Sequence, residues 1–526
     1  MIAKKLLTLA TYLQGILPSA LHQLGHLRES YTDMMSSLAD TANRLVLSND
    51  ELVTSVEGIE CIMIESLYHN YMGNLRKSWM SSRRAITIAQ IMGLHRGLNP
   101  ALKFVDKATR LDFDPAHMFF RLIQMDRYLS TMLSLPQAIS DNPFASPKDM
   151  ENCSPLSRMQ RLYVVAAGRM LERNHTDPND LSETQEIDKL LQRAAAEMPP
   201  KWWLMPNFSS TTSPPDPVHD TLRVNEQFTY YHLLTRLHLP YILRPCTDRR
   251  FDASKIAAVN ASRELLARYL AFRGSNPGQY YCRGGDFLAF ISSAVLCLAH
   301  TNAHCRRSST EGTSVFEFIA HQRLSDRGMM ESVLEIMDAG HDVISTRISS
   351  ILKHLLLIES NAASGMYYKT GSSPCSEQQR EPECLGEVSN GGKTLLVYIP
   401  HFGSINFETA EVVAAEKAGV SSEQSAFRAE QTSACEMRQQ ATFHSLEAGL
   451  ERSSAMQGPL DHSMQGDSLQ QIYATGESGI SDPSDGSMPT GESYDWDLQG
   501  VDMAFFESLF RGTGMPDMIE DGTSWM

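Results

Sequence analysis

The chain has 526 residues, a net charge of −16, and 42% apolar against 21% charged residues. That composition describes a soluble globular chain with room for a large core or two to three ordinary domains, and it excludes a wholly disordered one. The charge is uneven: Glu451 to Met526 hold 14 acidic and 2 basic residues, so the tail carries −12 and the preceding 450 residues −4. A tail of this kind is expected to stay solvated and to meet basic or apolar partner surfaces. The nine cysteines are scattered and no C-x-x-C pair occurs, which points to a reducing compartment and away from a disulfide framework or zinc-finger spacing.

The N-terminal stretch, Lys4 and Lys5 followed by Leu6 to Leu17, is interrupted by Thr8, Thr11 and Gln14. It reads as a core helix and not as a signal peptide. A polar break at Ser48, Asn49 and Asp50 precedes a helix over Val56 to Tyr71 that carries Glu60 and Glu65. From Gly73 to Arg96 the pattern is a helix with two faces. Leu75, Trp79, Ser82, Ile86 and Ala89 recur at spacings of three and four, widened by Ala85, Ile88 and Met92. Arg76, Lys77, Arg83 and Arg84 fall on the other side. Small residues at Ser82, Ala85 and Ala89 let another helix come close. Gly93 suits a left-handed cap, and Pro100 blocks continuation. Because the body is not basic, the cationic face is read as solvated or paired with Glu60, Glu65 or Asp126, in preference to gripping phosphates. Trp79 is read as a core residue and His95 as a turn residue.

Pro115 opens a further helix with a broad apolar face, which ends at LPQAISDNPF. Helical patterns follow over Ser157 to Arg173, Leu181 to Glu197, Leu222 to Leu243, Ala253 to Phe272, Asp286 to His304 and Met329 to Ile358. The apolar run Phe287 to Ala299 has the length of a buried helix, not of a membrane span. No useful strand alternation is visible among these helices. The organisation expected is therefore all-α over 1–360, a Gly/Ser/Pro-rich linker or surface loop over 361–393, an element over 394–420 that packs back on the helices, a disordered stretch over 421–492, and an acidic–hydrophobic segment over 493–526. In that last segment Trp496, Leu498, Val501, Phe505, Phe506 and Leu509 mix with Asp495, Asp497, Asp502 and Glu507. This is the composition of an activation segment, with Leu498, Val501, Phe505 and Leu509 on one helical face. A helix that docks on the chain's own body is the alternative.

Motifs for chemistry are weak. Cys297, His300 and His304 share one helical face but lack a fourth metal ligand. Gly386 to Thr394 nearly matches a phosphate loop, but Gly392 stands where its lysine belongs. There is neither a G-x-S-x-G elbow nor an aspartate-rich diphosphate cluster, so no enzyme is expected.

Four short elements share a resemblance. They are the Trp79 helix leading into Gly93, Leu94, His95 and Arg96; Asp126, Arg127 and Tyr128 followed by Pro136; His238 to Tyr241; and Ile399 to Ile405. Together they resemble the fungal-specific transcription factor domain, the middle homology region of fungal zinc binuclear cluster transcription factors, over most of residues 1 to about 420. The resemblance implies a multi-helix regulatory domain whose signature helix includes Trp79, Arg83, Arg84, Gly93, His95 and Arg96. It implies a nuclear regulator of RNA polymerase II transcription, in the family often of a metabolic or secondary-metabolite gene cluster, with coactivators met through the acidic tail and homo-oligomers through the middle domain. The six paired cysteines of that family's DNA-binding module have no counterpart here. No cofactor is therefore expected in this chain, zinc belonging to that module, and DNA contact is expected only where a zinc cluster is supplied elsewhere. No membrane partner is expected. The reading from another class is a helical scaffold or ligand-sensing protein that does not bind DNA.

Overall fold

In the computed structural model the described residues are 2–16, 30–96, 102–106, 109–110, 113–151, 153–205, 217–244, 248–275, 284–307, 315–340, 343–366, 368–373, 394–399 and 403–409. Among them are fourteen α-helices and three strands. The helices are α1 (Ile2–Gln14), α2 (Tyr31–Ala42), α3 (Asp50–Val53), α4 (Val56–Tyr71), α5 (Leu75–Ile91), α6 (Pro115–Leu133), α7 (Pro147–Glu151), α8 (Pro155–Thr176), α9 (Leu181–Ala195), α10 (Pro217–His238), α11 (Asp252–Ser275), α12 (Gly284–Arg307), α13 (Arg323–Asp338) and α14 (Val343–Ala363). The body is all-α, as its patterning predicts.

Local chemistry sets the boundaries. Ser55, Asp114, Ser154 and Asp180 stand before their helices and accept hydrogen bonds from the free N–H groups of the first turn. Pro115 and Pro155 occupy the first helical position, where a missing N–H costs nothing. Gly93 takes φ +83° just past α5 and ends it. The single helix expected over Met329 to Ile358 is two, α13 and α14, because the chain breaks at Ala339 and Gly340. A Cβ on Gly340 would come within 2.5 Å of the Ser345 side chain, so only glycine fits that corner.

Three apolar clusters hold the body. One joins α1, α2, α4, the C-terminal half of α5 (Ala85, Ile86, Ile88, Ala89) and the N-terminal half of α6 (Met118 to Ile123). A second takes Leu75 of α5 and Leu129, Met132 and Leu133 of α6, and continues through α11, α12, α13 and α14. A third joins α8, α9 and α10. The buried-helix reading of Phe287 to Ala299 is met: every one of those residues is buried. The helix Gly284–His304 is long and apolar enough to cross a membrane, yet 94% of its apolar window lies inside the fold.

Beyond α14, outside the helical body, three strands follow. β1 (Tyr368–Ser373), β2 (Thr394–Ile399) and β3 (Gly403–Thr409) form an antiparallel sheet in the order β1-β3-β2. Ile405 and Phe407, two residues apart on the central strand, are buried in the second apolar cluster. Residues 361–393, read as a linker or surface loop, include the end of α14 at Ala363 and β1. The sequence YKTGSS of β1 has no apolar alternation; it is a strand because β3 offers it a partner, with Thr370 opposite Phe407 and Ser372 opposite Ile405.

Candidate functional site

Two of the expected signature residues, Trp79 and Arg83, meet α6 where it packs against α5. Trp79 and Arg83 lie one turn apart on α5, and the Arg83 guanidinium sits 4.6 Å from the Trp79 ring centroid. Trp79 Nε1 donates to Ser130 Oγ at 3.1 Å, and Ser130 in turn donates to the Pro136 carbonyl at 3.1 Å. Arg83 pairs with Asp126 at 2.6 Å and also donates to Pro136 O. Of the three carboxylates expected as partners for the cationic face, Asp126 is thus the one that Arg83 uses. Glu60 pairs with Lys4 at 2.8 Å, and Glu65 accepts from Asn43 at 2.7 Å and Ser81 at 3.0 Å. Arg84 pairs with Asp50 at 2.7 Å.

Arg127, the neighbour of Asp126, is 1% exposed. Its guanidinium donates to Asn142 Oδ1 at 2.6 Å and to the backbone carbonyls of Val164 (2.8 Å), Ile139 (3.0 Å), Ser140 (3.2 Å) and Asp141 (3.1 Å). One planar fork therefore ties the stretch 139–142 to both α6 and α8. Asp126 accepts from the Ala138 N–H at 2.7 Å, so the two adjacent side chains clamp the same loop from one helix. Ser134 closes α6 at φ +57°, a left-handed conformation uncommon for serine, and so turns the chain back toward Ser130 and Arg83. Burial pushes the Asp126 carboxyl up despite the Ala138 N–H and the two arginines beside it. Burial also lowers Arg83, opposed by Asp126, and brings Arg127 down to about 10. In all three groups desolvation is the largest cause of the shift, and the neighbouring charges and N–H donors oppose it.

The turn after α5 is the expected GLHR element. Leu94 is buried, the His95 ring centroid lies 6.4 Å from that of Phe119, and Arg96 is exposed. His238 and Tyr241 flank the turn that closes α10; Tyr241 OH shares a 2.7 Å hydrogen bond with Thr184 Oγ1 of α9. The suspected metal face on α12 is drawn apart by its own contacts. Cys297 Sγ donates to Leu355 O at 3.2 Å, while His300 Nε2 meets Asp326 at 2.7 Å, a carboxylate that Arg263 also holds with two contacts of 2.8 Å. Among the described residues no group of three or more His, Cys, Asp or Glu is placed to hold a metal ion. Trp496, Leu498, Val501, Phe505, Phe506 and Leu509 lie outside the described residues, as does the near phosphate loop up to Gly392 and Lys393.

Arg127 is a functional residue that sequence pattern alone does not single out. The available signal was an adjacent Asp–Arg pair inside an otherwise apolar helix face, since charged side chains are rarely fully buried unless paired.

No family model matches the chain, and no solved structure matches it. Curated relatives do. It is 35% identical, over 98% of its length and 73% of the relative's, to a protein of Aspergillus terreus named "Dehydrocurvularin biosynthesis regulator". It is 40% identical, over 77% of its length and 52% of the relative's, to a protein of that name from Alternaria cinerariae. It is 31% identical, over 77% of its length and 51% of the relative's, to "Transcription factor sdnS" of Sordaria araneosa. The chain thus spans about half the length of the last two. These relatives are named as regulators and transcription factors, none as an enzyme, and the chain belongs to their family of fungal biosynthesis regulators.

Proposed function

We propose that this chain is a nuclear regulator of RNA polymerase II transcription that acts on a fungal secondary-metabolite gene cluster. The helical body is its regulatory domain, of the fungal-specific transcription factor type, and residues 493–526 recruit coactivators. The observation that carries this reading is the 35% identity to a biosynthesis regulator along 98% of the chain. DNA is reached through a zinc cluster not found among these cysteines. The test is residues 451–526 fused to a foreign DNA-binding domain: reporter activation is expected, falling several-fold when Phe505 and Leu509 are both changed to alanine. A silent fusion would remove the activating role.

A further inference from the structure

Arginines inside this fold meet a carboxylate, as Arg83, Arg263 and Arg268 do, or a set of carbonyls, as Arg127 does. Arg121 of α6 and Arg161 of α8 do neither. Arg161 is 8% exposed; its Nη1 donates to Phe144 O at 2.5 Å, and its Nε is buried with no acceptor. Arg121 donates to His117 Nε2 at 3.4 Å and to Gln124 Oε1 at 2.8 Å. Among the described residues neither arginine stands in an ion pair, and the Nη2 of each makes no hydrogen bond. Both guanidiniums gather on one ring, Arg121 at 5.8 Å and Arg161 at 5.0 Å from the Phe120 centroid. Burial and then the two arginines hold His117 below its ordinary value, against Asp114. Enclosing two cations without a counter-ion is costly, and an aromatic face offsets only part of that cost.

Glu226 of α10 stands on the third side. Its Oε1 accepts from Gln160 Nε2 of α8 at 2.6 Å, and burial raises its carboxyl against the pull of Gln160 and Arg121. The Tyr163 hydroxyl belongs to a residue only 3% exposed and has no hydrogen-bond partner. Burial and then the Glu226 charge push that phenol well above its ordinary range, so the hydroxyl lies close to the carboxylate. Yet His117, Arg121, Gln124 and Glu226 all keep part of their surface in water. The first three form one row on α6, at spacings of four and three. The cluster is therefore a polar recess that opens along that row and has Arg161 and Tyr163 at its inner end. Two guanidiniums against one carboxylate leave a single positive charge, and its walls include the rings of Phe120, Tyr163 and Tyr230, the last two 6.0 Å apart. We propose that the recess binds a small monocarboxylic acid with an aromatic body, its carboxylate held by Arg121 and Arg161 with the Tyr163 hydroxyl donating to it. Guanidinium N–H pairs match a carboxylate in shape, and rings with a few convergent polar groups suit a flat apolar body. A dianion such as phosphate fits less well, because its second charge would meet Glu226.

The test is benzoate titrated into the full chain and followed by saturation-transfer NMR, with benzamide as its uncharged counterpart and inorganic phosphate as competitor. Benzoate is expected to saturate with a Kd of about 1 mM, and benzamide to bind about tenfold more weakly. Phosphate is expected not to displace benzoate. Arg121→Gln and Tyr163→Phe should each weaken benzoate about tenfold, the effect of losing one hydrogen bond to a charged group. Tyr163→Phe keeps the ring and removes only an unpartnered hydroxyl, so it reads the site even where Arg121→Gln fails to fold. Absence of saturation up to about 10 mM benzoate overturns the proposal, a limit ten times the expected Kd. Benzamide binding as tightly as benzoate also overturns it, since the recess would then be an apolar crevice. So does an affinity unchanged in Tyr163→Phe, which puts the acid elsewhere, and displacement by phosphate overturns the choice of a monocarboxylate. The reporter fusion contains none of these residues, so its outcome and this one are read apart.

Discussion

The Arg127 clamp makes one glycine behave against its helix. Gly168 lies inside α8 and is buried. An added Cβ would stand 2.7 Å from Arg127 Cζ and Nη1 and 3.0 Å from Nε. In an unconstrained helix, glycine to alanine stabilises by about 1 kcal/mol. Here the methyl must displace a guanidinium that five acceptors hold, and overpacking of this kind costs about 1–3 kcal/mol. Losing even one of its hydrogen bonds adds about 1.5 kcal/mol, because the donor is charged. Gly168→Ala is therefore expected to destabilise by about 2 kcal/mol net. Gly328 in α13 is the control: it is exposed, and nothing lies within 4 Å of where its Cβ would be. Gly328→Ala should gain about 1 kcal/mol. Urea unfolding followed by far-UV circular dichroism separates them, with midpoints moving down by about 0.7 M and up by about 0.3 M for a slope of about 3 kcal/mol/M. A Gly168→Ala midpoint at or above that of the parent would refute the clamp.

Two further outcomes follow from buried charge. The Glu359 carboxylate is fully buried and held by Arg323 and by Arg327 at 2.7 Å. Glu359→Ala should cost about 3 kcal/mol in the same unfolding assay, the lower end for a broken buried pair because both arginines keep about a quarter of their surface in water. Burial, helped by Lys77 and Arg236 respectively, lowers His69 to about 4 and His232 to about 3 from an ordinary 6.5. Their folded forms stay neutral while the unfolded chain takes up protons, so their contribution is whole above pH 6.5 and is lost as pH falls toward 4 for His69 and toward 3 for His232. Each then adds a slope of about 1.4 kcal/mol per pH unit. Asp126, Glu65 and Glu226, pushed up by burial, act with the opposite sign low in that window. The measurement is thus the difference between parent and His232→Gln at pH 7, 6 and 5, where the variant should lose less stability on acidification.

Periodicity made α5 legible, because its inward residues are set by apolar spacing alone: Leu75, Ser82, Ala85, Ile86, Ile88 and Ala89 are all buried. It also showed the cationic face but not its partners. Asp126 is 43 residues from Arg83, and nothing local favours it over Glu60 or Glu65. The Arg127 clamp was less visible still. Its acceptors are mostly main-chain carbonyls, which every residue possesses, so no residue type marks them. The sheet escaped for a related reason, since β1 owes its conformation to a partner more than 30 residues away. What resemblance added was the grouping: it joined Trp79, Asp126, Arg127 and Pro136 before geometry placed them side by side.

The antiparallel pair α5 and α6 lends one end to each of two apolar clusters, with the Trp79–Arg83–Asp126–Ser130 seam between. Neither half can melt while leaving those two helices intact for the other. A chain of this length would ordinarily divide into separately cooperative parts. Here the shared helices tie these two clusters together, so the two are expected to melt in a single transition, with one heat-absorption peak where the size alone would lead one to look for two.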